Sequence, residues 1–223
     1  MKKLLVCLCV IFLGVSLARV AESVVLTFDD ITTVTGLSPI PAGYGGFNWE
    51  KDTPDGATAF RISNITSILD NPLYENTGWL NSLVSNDFVA FNNSGNPAWI
   101  SSVGGSFDFN GAYFTSAYNS GLNITVEGYL DDELIYSSTV ILDTTNPTWF
   151  DFDYFEIDEL GITPFGGTEV PGIGSPSSEP RLHFAMDNFT FDAQPVPEPT
   201  TIVLVGFGLA GIYGVRRKMN RQT

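Results

Sequence analysis

The sequence predicts an all-β domain, a sandwich or a barrel, that lies between an N-terminal signal peptide and a short C-terminal membrane segment. Three observations predict this architecture. Short runs in which apolar and polar residues alternate recur between residues 24 and 191, as half-buried antiparallel strands require. Gly, Asn, Pro and Ser separate these runs, and those residues favour turns. Longer apolar stretches lie at the two ends of the chain.

Residues 1–18 are predicted to be a cleaved signal peptide. Two lysines precede an apolar run at residues 4–17, and the Ser-Leu-Ala sequence that ends at Ala18 offers the small residues that a signal peptidase reads. Cleavage is expected after Ala18 rather than after Ala21, and the apolar run is too short to favour an uncleaved anchor. Because Cys7 and Cys9 lie in this segment, the mature chain cannot form a disulfide.

Residues 19–194 are predicted to be the β domain. The clearest alternating runs are residues 24–28, 87–91, 106–110, 122–129, 134–142, 149–157 and 182–191. Many short strands without helices between them indicate a sandwich or a barrel. In residues 64–84, Ile65 and Ile68 would share a helical face, but Asn71-Pro72 interrupts the pattern. This stretch is predicted to be a long loop with at most one helical turn.

The predicted domain is strongly acidic. Residues 19–194 hold 24 of the 25 acidic residues but only four of the ten basic ones, a net charge of −20. This charge argues against binding to nucleic acid or to anionic lipid, because phosphate would be repelled. It is compatible with divalent cations, with neutral or cationic polymers, or with a role in solubility alone.

Residues 195–223 form a tail with three parts. An extended, proline-rich motif is followed by an apolar run at residues 200–215 and by a basic cluster at 216–218. The motif residues are Val196, Pro197, Glu198 and Pro199, and the cluster is Arg216, Arg217 and Lys218. Proline excludes a helix in the motif and leaves a strand that a protease can bind. As a helix the apolar run would span about 24 Å, short for a hydrocarbon core of ~30 Å, and the basic cluster would stay in the cytoplasm.

These three parts, in this order, resemble the PEP-CTERM sorting domain of Gram-negative bacteria over residues 195–218. The resemblance implies that the helix anchors the precursor in the membrane until an exosortase, a membrane Cys protease-transpeptidase, processes the tail. It also implies a destination at the cell surface or in the extracellular matrix, in bacteria that make exopolysaccharide and biofilm. The alternative is an ordinary C-terminal membrane anchor.

A second resemblance concerns the domain. The segments 28–30, 44–49, 105–109, 126–129 and 184–191 resemble the layout of galactose-binding-like jelly rolls. This resemblance covers residues 24–192 and implies a jelly-roll β-sandwich with a structural calcium ion.

Three aspartates are the predicted calcium ligands. Asp29 and Asp30 end the first predicted strand, and Asp187 interrupts the otherwise apolar last one. In a jelly roll the first and last strands can lie side by side, and carboxylates brought together there would repel one another without a cation. Oxygen ligands without Cys or His select Ca²⁺, and backbone carbonyls near residues 46–50 would complete the shell. In the alternative interpretation, Asp187 caps the backbone or faces solvent.

The sequence offers little for catalysis. His183 is the sole histidine, the mature chain has no thiol, and no Gly-x-Ser-x-Gly motif is present. Acid pairs such as Asp151 and Asp153 are expected to be solvated. Trp79 and Trp99, which are flanked by Asn, Gly and Pro, are the tryptophans expected to be exposed and able to stack on sugars.

The sequence therefore predicts an exported, exosortase-sorted protein of the cell surface or exopolysaccharide matrix. Its sandwich is predicted to be non-catalytic and to bind carbohydrate, with exopolysaccharide as the expected partner. Two alternatives stay open: a secreted polysaccharide-acting enzyme on the same scaffold, and a purely structural matrix protein.

Overall fold

A computed structural model describes residues 23–31, 37–51, 59–68, 71–172 and 181–192. These residues lie in one compact unit, Ser23–Ala193. The predicted signal peptide, the predicted tail and the boundaries drawn at residues 18 and 194 lie outside the described residues. In the part of the chain that the structure describes, no helix has the length and apolar character needed to cross a bilayer.

Strands are the main element of the described chain. They are β1 (Val24–Leu26), β2 (Ser38–Pro39), β3 (Phe47–Asn48), β4 (Phe60–Asn64), β5 (Phe88–Asn92), β6 (Ala98–Ser102), β7 (Phe107–Ser116), β8 (Asn119–Ser120), β9 (Leu122–Leu130), β10 (Glu133–Leu142), β11 (Thr148–Ile157), β12 (Glu159–Phe165), β13 (Thr168–Glu169) and β14 (Phe184–Phe191). Short 3₁₀ helices occupy Tyr44–Gly46, Thr66–Ile68, Pro72–Tyr74, Gly78–Asn81 and Asn93–Gly95. The predicted loop at residues 64–84 therefore contains three short helical turns within its described residues, more than the one expected.

Two antiparallel sheets form a β-sandwich, which confirms the predicted fold class. Sheet A has the order β11-β7-β14-β5-β4-β2, and β1 also pairs with β14. Sheet B has the order β10-β9-β12-β6-β3. The chain crosses repeatedly between the sheets, from β5 to β6 to β7 to β9 and from β10 to β11 to β12 to β14, as in a jelly roll. The first strand lies beside the last, with Val24 opposite Phe191.

An aromatic core lies between the sheets. The inward residues of β9 are Leu122, Ile124 and Val126, and all three are fully buried. They share the core with phenylalanines such as Phe109 and Phe189, whose ring centroids lie 4.9 Å apart. Each large apolar side chain buried in this way contributes about 1.5–3 kcal/mol. The core thus stabilises a domain that contains no cysteine.

Strand β12 is absent from the sequence prediction because its residues resemble a turn. It contains Gly161 and Pro164, which normally mark loops. Its pairing with β6 ends at Ile162, whereas its pairing with β9 continues to Phe165. Pro164 therefore lies where the strand has a neighbour on one side, and a proline without an N–H is tolerated there.

A long segment covers the outer face of sheet A. We call its described residues, 65–68 and 71–87, the strap. Val89 and Phe91 of β5 and Ala185 of β14 point away from the main core and pack with Ile65 and Trp79 of the strap. Sheet A is consequently buried on both faces where the strap crosses it.

A glycine brings the strap close to the sheet. The Gly78 amide donates to the Ala117 carbonyl over 2.8 Å. A Cβ added at Gly78 would lie 1.8 Å from the Ser116 carbonyl oxygen, so no other residue fits there without a shift of the backbone. The strap is therefore fixed to β7 by backbone contact as well as by its apolar side chains.

Candidate functional site

A groove of about 800 Å³ opens where β3, β6 and β12 of sheet B meet β2 and β4 of sheet A. It is lined by residues 39–42 and 48–51 and by Phe60, Ser101 and Glu159. Its volume lies within the range of about 300–1,000 Å³ that is usual for ligand sites. Proline and isoleucine supply apolar surface, while Asn, Ser, Glu and Lys supply hydrogen-bonding groups. The groove can therefore contact both the apolar faces and the hydroxyl groups of a polar ligand.

Trp99 lies on the outer face of sheet B and is linked to the groove by Lys51. Trp99 is half-buried and pairs in register with Gly161 of β12. A Cβ added at Gly161 would come within 2.7 Å of the Trp99 ring, so the indole lies flat on this glycine. The Lys51 ammonium lies 3.9 Å from the ring centroid and 2.8 Å from Glu159 Oε1. The Tyr129 ring lies 5.5 Å from Trp99.

The surroundings of this aromatic pair are acidic. Tyr129 Oη donates to Glu127 Oε2 over 3.1 Å, and burial followed by this hydrogen bond raises the pKa of Tyr129. Glu159 also lines a smaller depression of about 280 Å³ beside the groove, together with Asp131, Asp132 and Asp158. Lys51 thus introduces one basic group into an acidic surface.

Sequence reasoning selected Trp99 but missed Lys51, Tyr129, Glu159 and Gly161. These residues meet only through the pairing of β6, β12 and β9. One signal was available: Gly161 interrupts an apolar run, and a glycine within a strand often marks close approach of another group.

Trp79 is not exposed, and the prediction that it faces solvent is wrong. Its side chain is 5% exposed and packs edge-on against Phe91 at 5.2 Å between ring centroids. The reason is the strap, which carries Trp79 onto the outer face of sheet A. In this structure Trp79 has no face on which a sugar can stack.

The predicted calcium ligands lie around the place where β1 and β5 both meet β14. Asp187 is 1% exposed, and its carboxylate accepts from the Val84 amide (2.8 Å), from the Ser85 amide (2.9 Å) and hydroxyl (3.0 Å), and from the Asn188 amide (2.7 Å). Asp29 Oδ1 accepts from the amides of Asp87 and Phe88, at 3.0 and 3.1 Å. Both carboxylates therefore fasten the C-terminal end of the strap.

This arrangement does not fit the predicted role of Asp187 as a calcium ligand, because N–H and O–H donors already occupy both of its oxygens. Asp30 Oδ1 instead accepts a hydrogen bond from Tyr44 Oη over 2.6 Å. Burial, followed by this hydrogen bond, raises the pKa of Tyr44 far above its usual value. In the described ranges, no three His, Cys, Asp or Glu side chains are grouped so that they could hold a metal ion. Calcium binding stays a prediction.

Two oxygens in this region do lack a hydrogen-bond donor among the described residues: Asp29 Oδ2 and Asn188 Oδ1, both buried. An oxygen-binding cation would therefore use Asn188 rather than its neighbour Asp187. Asn188 adopts a φ of 51°, at a shift in the register between β14 and β7, so its side chain leaves the alternation of the strand.

The His183 side chain packs against aromatic rings under the strap. Its ring lies 5.5 Å from Tyr118 and 6.2 Å from Trp79 under the strap. Burial and then the charge of Arg181 lower the pKa of His183 to about 4, so it is neutral at physiological pH. Asp151 and Asp153 are both exposed, as expected, and Asp151 accepts a hydrogen bond from the indole of Trp149.

The tail matches a known sorting signal. Residues 195–218 match the family model described as the PEP-CTERM protein-sorting motif. The recognition of the motif in the sequence is thereby confirmed, over the same residues. No curated protein matches the chain.

Solved structures give a distant likeness for the domain. One is the CBM51 domain from Clostridium perfringens GH95, in complex with methyl-galactose; it is 14% identical, with a TM-score of 0.33, over 76% of this chain and 99% of that one. Another is the M60 catalytic domain with the CBM51-1 and CBM51-2 domains of Clostridium perfringens ZmpB; it is 9% identical, with a TM-score of 0.29, over 77% of this chain and 15% of that one. At TM-scores this low, the function of this domain has to be argued from its own residues.

Proposed function

We propose that this protein is exported, sorted by an exosortase and delivered to the cell surface or the extracellular matrix, where its β-sandwich binds carbohydrate without catalysis. The observation that carries the sorting part is the match of residues 195–218 to the PEP-CTERM motif. The extended motif at 196–199 is the segment that an exosortase would bind, and the apolar run and basic cluster would hold it at the membrane.

The mass of the mature protein tests the sorting step. In a host that has an exosortase, the mature protein should lack the residues that follow about Pro199, and Arg216, Arg217 and Lys218 should be absent. A host without the exosortase gene is the control and should retain the whole tail. Recovery of the intact basic cluster on the surface protein of an exosortase-positive host would refute the proposal.

The carbohydrate-binding part is supported by the groove and by the outer face of sheet B. Trp99 and Tyr129 offer aromatic surface, and Lys51 and Glu159 offer a donor and an acceptor at the edge of the groove. A sugar that stacks on Trp99 must displace the Lys51 ammonium from the ring. The displaced ammonium would then donate to a sugar hydroxyl, so the change costs little.

A screen of polysaccharides for both binding and hydrolysis tests this part. Trp99→Ala should weaken binding by about tenfold or more, since one aromatic contact contributes roughly 0.5–1.5 kcal/mol beyond its buried area. Trp149→Ala is a matched control, because Trp149 is also half-buried but lies on β11 of the other sheet. Equal effects of the two changes would exclude the outer face of sheet B around Trp99 as the binding site. Release of reducing sugar would instead favour the secreted enzyme, and neither binding nor hydrolysis would favour the structural matrix protein.

A further inference from the structure

Two strands of ten residues each lie at outer ends of the sheets, and their edges differ in protection. β11 ends sheet A and β10 ends sheet B. The register of β11 against β7 shifts twice, and Asp153 and Glu156 have φ values of 48° and 54°. Bulges and charged side chains are the means by which sheets prevent pairing at an edge. The edge of β11 is therefore a poor template for another strand.

The edge of β10 is less protected. Its register against β9 is continuous from Tyr136 to Leu142, with a single shift before Tyr136. Residues 134–142 include no charged residue and no proline. Leu134, Ile135 and Ile141 are 48%, 45% and 67% exposed, and β9 is the sole strand of the described chain that pairs with β10. A long, uncharged edge is unusual in a domain with a net charge of −20.

Residues 133–143, which are β10 and the residue that follows it, also form an approximate palindrome of residue types centred on Ser138. Moving outward from the centre, the matched pairs are Ser137 and Thr139, Tyr136 and Val140, Ile135 and Ile141, Leu134 and Leu142, and Glu133 and Asp143. In an antiparallel pair of two copies with Ser138 opposite Ser138, the residues from Ile135 to Ile141 would lie beside their matches. The register shift between Leu134 and Tyr136 ends this one-to-one match toward the start of the strand. Because the same edge serves both copies, the arrangement closes as a two-fold dimer and leaves no strand to recruit a third copy.

We propose that β10 pairs with β10 of a second copy, antiparallel and centred on Ser138, so that the two B sheets become one continuous sheet. The unpaired backbone groups of each edge would bond to the other copy. Ile135 of one copy would pack against Ile141 of the other, at both ends of the paired strands.

The acidic residues at the two ends of the palindrome oppose dimer formation. Glu133 of each copy would lie near Asp143 of the other, just beyond the matched residues, and like charges brought close together repel. The two acidic domains also repel as a whole. Salt should therefore strengthen association, since it screens exposed charges.

Sedimentation of the exported mature protein over a range of concentrations, at low and high salt, tests the proposal. The protein should dimerise, more tightly at high salt. Glu133→Lys would turn two repulsive pairs into attractive ones and should lower the dimer Kd roughly tenfold at low salt, an effect that shrinks at high salt. Glu75→Lys makes the same charge change on the exposed surface of the strap, and its effect should be much smaller.

A second pair of variants tests the apolar contact. Ile141→Lys should raise the dimer Kd by about tenfold or more, because the apolar surface that the dimer buries is lost. Phe155→Lys replaces another exposed apolar residue (41%) on β11 and should leave the Kd unchanged. Circular dichroism of each variant checks that it folds. A monomer at every concentration, equal effects of Glu133→Lys and Glu75→Lys, or dissociation by Phe155→Lys as strong as by Ile141→Lys would overturn the proposal.

Discussion

The two outer faces of the sandwich differ, and the difference is visible along single strands. On sheet A, β5 carries apolar residues in both directions, because Val89 and Phe91 meet the strap while Ala90 meets the main core. On sheet B, β9 alternates, with Ile124 and Val126 in the core and Thr125 and Glu127 half-buried on the other side. A strand that is apolar throughout indicates a covered face, and a strand that alternates indicates an open one. A ligand should therefore be sought on sheet B.

The largest effect on stability is expected when one tryptophan from each face is replaced and the two losses are compared. Trp79→Ala should lower the free energy of unfolding by about 3–5 kcal/mol, because it empties the small core under the strap. Trp99→Ala should cost less than half as much, because the ring lies at the surface on Gly161 and leaves no internal cavity. Urea unfolding of the two variants measures both values. Equal losses of stability would mean that the two faces are not distinct.

These two tryptophans also show how far the sequence alone can lead. Alternation predicted β9, β10 and β11 to within one residue at each end, because burial of one sheet face imposes a period of two on the sequence. Trp79 and Trp99 have similar polar, glycine- and proline-containing surroundings, yet one is buried and the other is not. Whether each tryptophan is buried depends on which sheet face the strap crosses. The strap is positioned by close backbone contact between Gly78 and residues more than thirty positions further along the chain, which no local pattern reveals.

The predicted calcium site illustrates the same limit. The sequence predicted that Asp29, at the end of the first strand, lies near Asp187, within the last strand, if those two strands lie side by side, and β1 does pair with β14. Most of the donors to these carboxylates come from residues 84–88, which have no metal-binding signature. No local pattern in the sequence reveals that backbone amides of a loop contact both carboxylates.

The next largest effect should come from the carboxylate that holds the strap. Asp187→Asn would turn an NH₂ group toward amides that donate to Asp187 and should cost about 3 kcal/mol of stability, since each buried donor left without an acceptor costs roughly 1–3 kcal/mol. The loss should be the same with and without a calcium chelator, because the partners of Asp187 are protein donors. A loss that disappears in chelator would restore Asp187 as a metal ligand.

The covered face should also make stability depend on pH through His183. Its pKa is about 4 in the folded protein, against an ordinary value of 6.5, so the unfolded chain takes up the proton first as the pH falls. The contribution of neutral His183 is fully present above pH 6.5 and is lost as the pH falls toward 4. Between pH 7 and pH 5 the loss should be about 2 kcal/mol.

His183→Gln isolates this contribution, because the chain has no other histidine. Unfolding in urea at pH 7 and pH 5 should show a smaller change in the variant than in the original protein. The comparison between the two proteins removes the opposing contribution of Asp187, whose pKa is raised by burial. The same pH dependence in both proteins would show that His183 is not buried under the strap.

The smallest effect on stability is expected on the open face, where a carboxylate can be replaced at little cost. Glu159→Gln removes the charge that pairs with Lys51, but the side chain of Lys51 is 44% exposed and that of Glu159 is 21% exposed. Pairs in such contact with water contribute about 0–1 kcal/mol, so the free energy of unfolding should fall by less than about 1 kcal/mol, and by less still in high salt. The change is the counterpart of Asp187→Asn, a carboxylate replaced by its amide on the other face. If Glu159→Gln lowers the free energy of unfolding as much as Asp187→Asn, the Lys51–Glu159 pair is a structural contact of the fold. Lys51 could then not leave Glu159 and Trp99 to contact a ligand, as the proposed binding site requires.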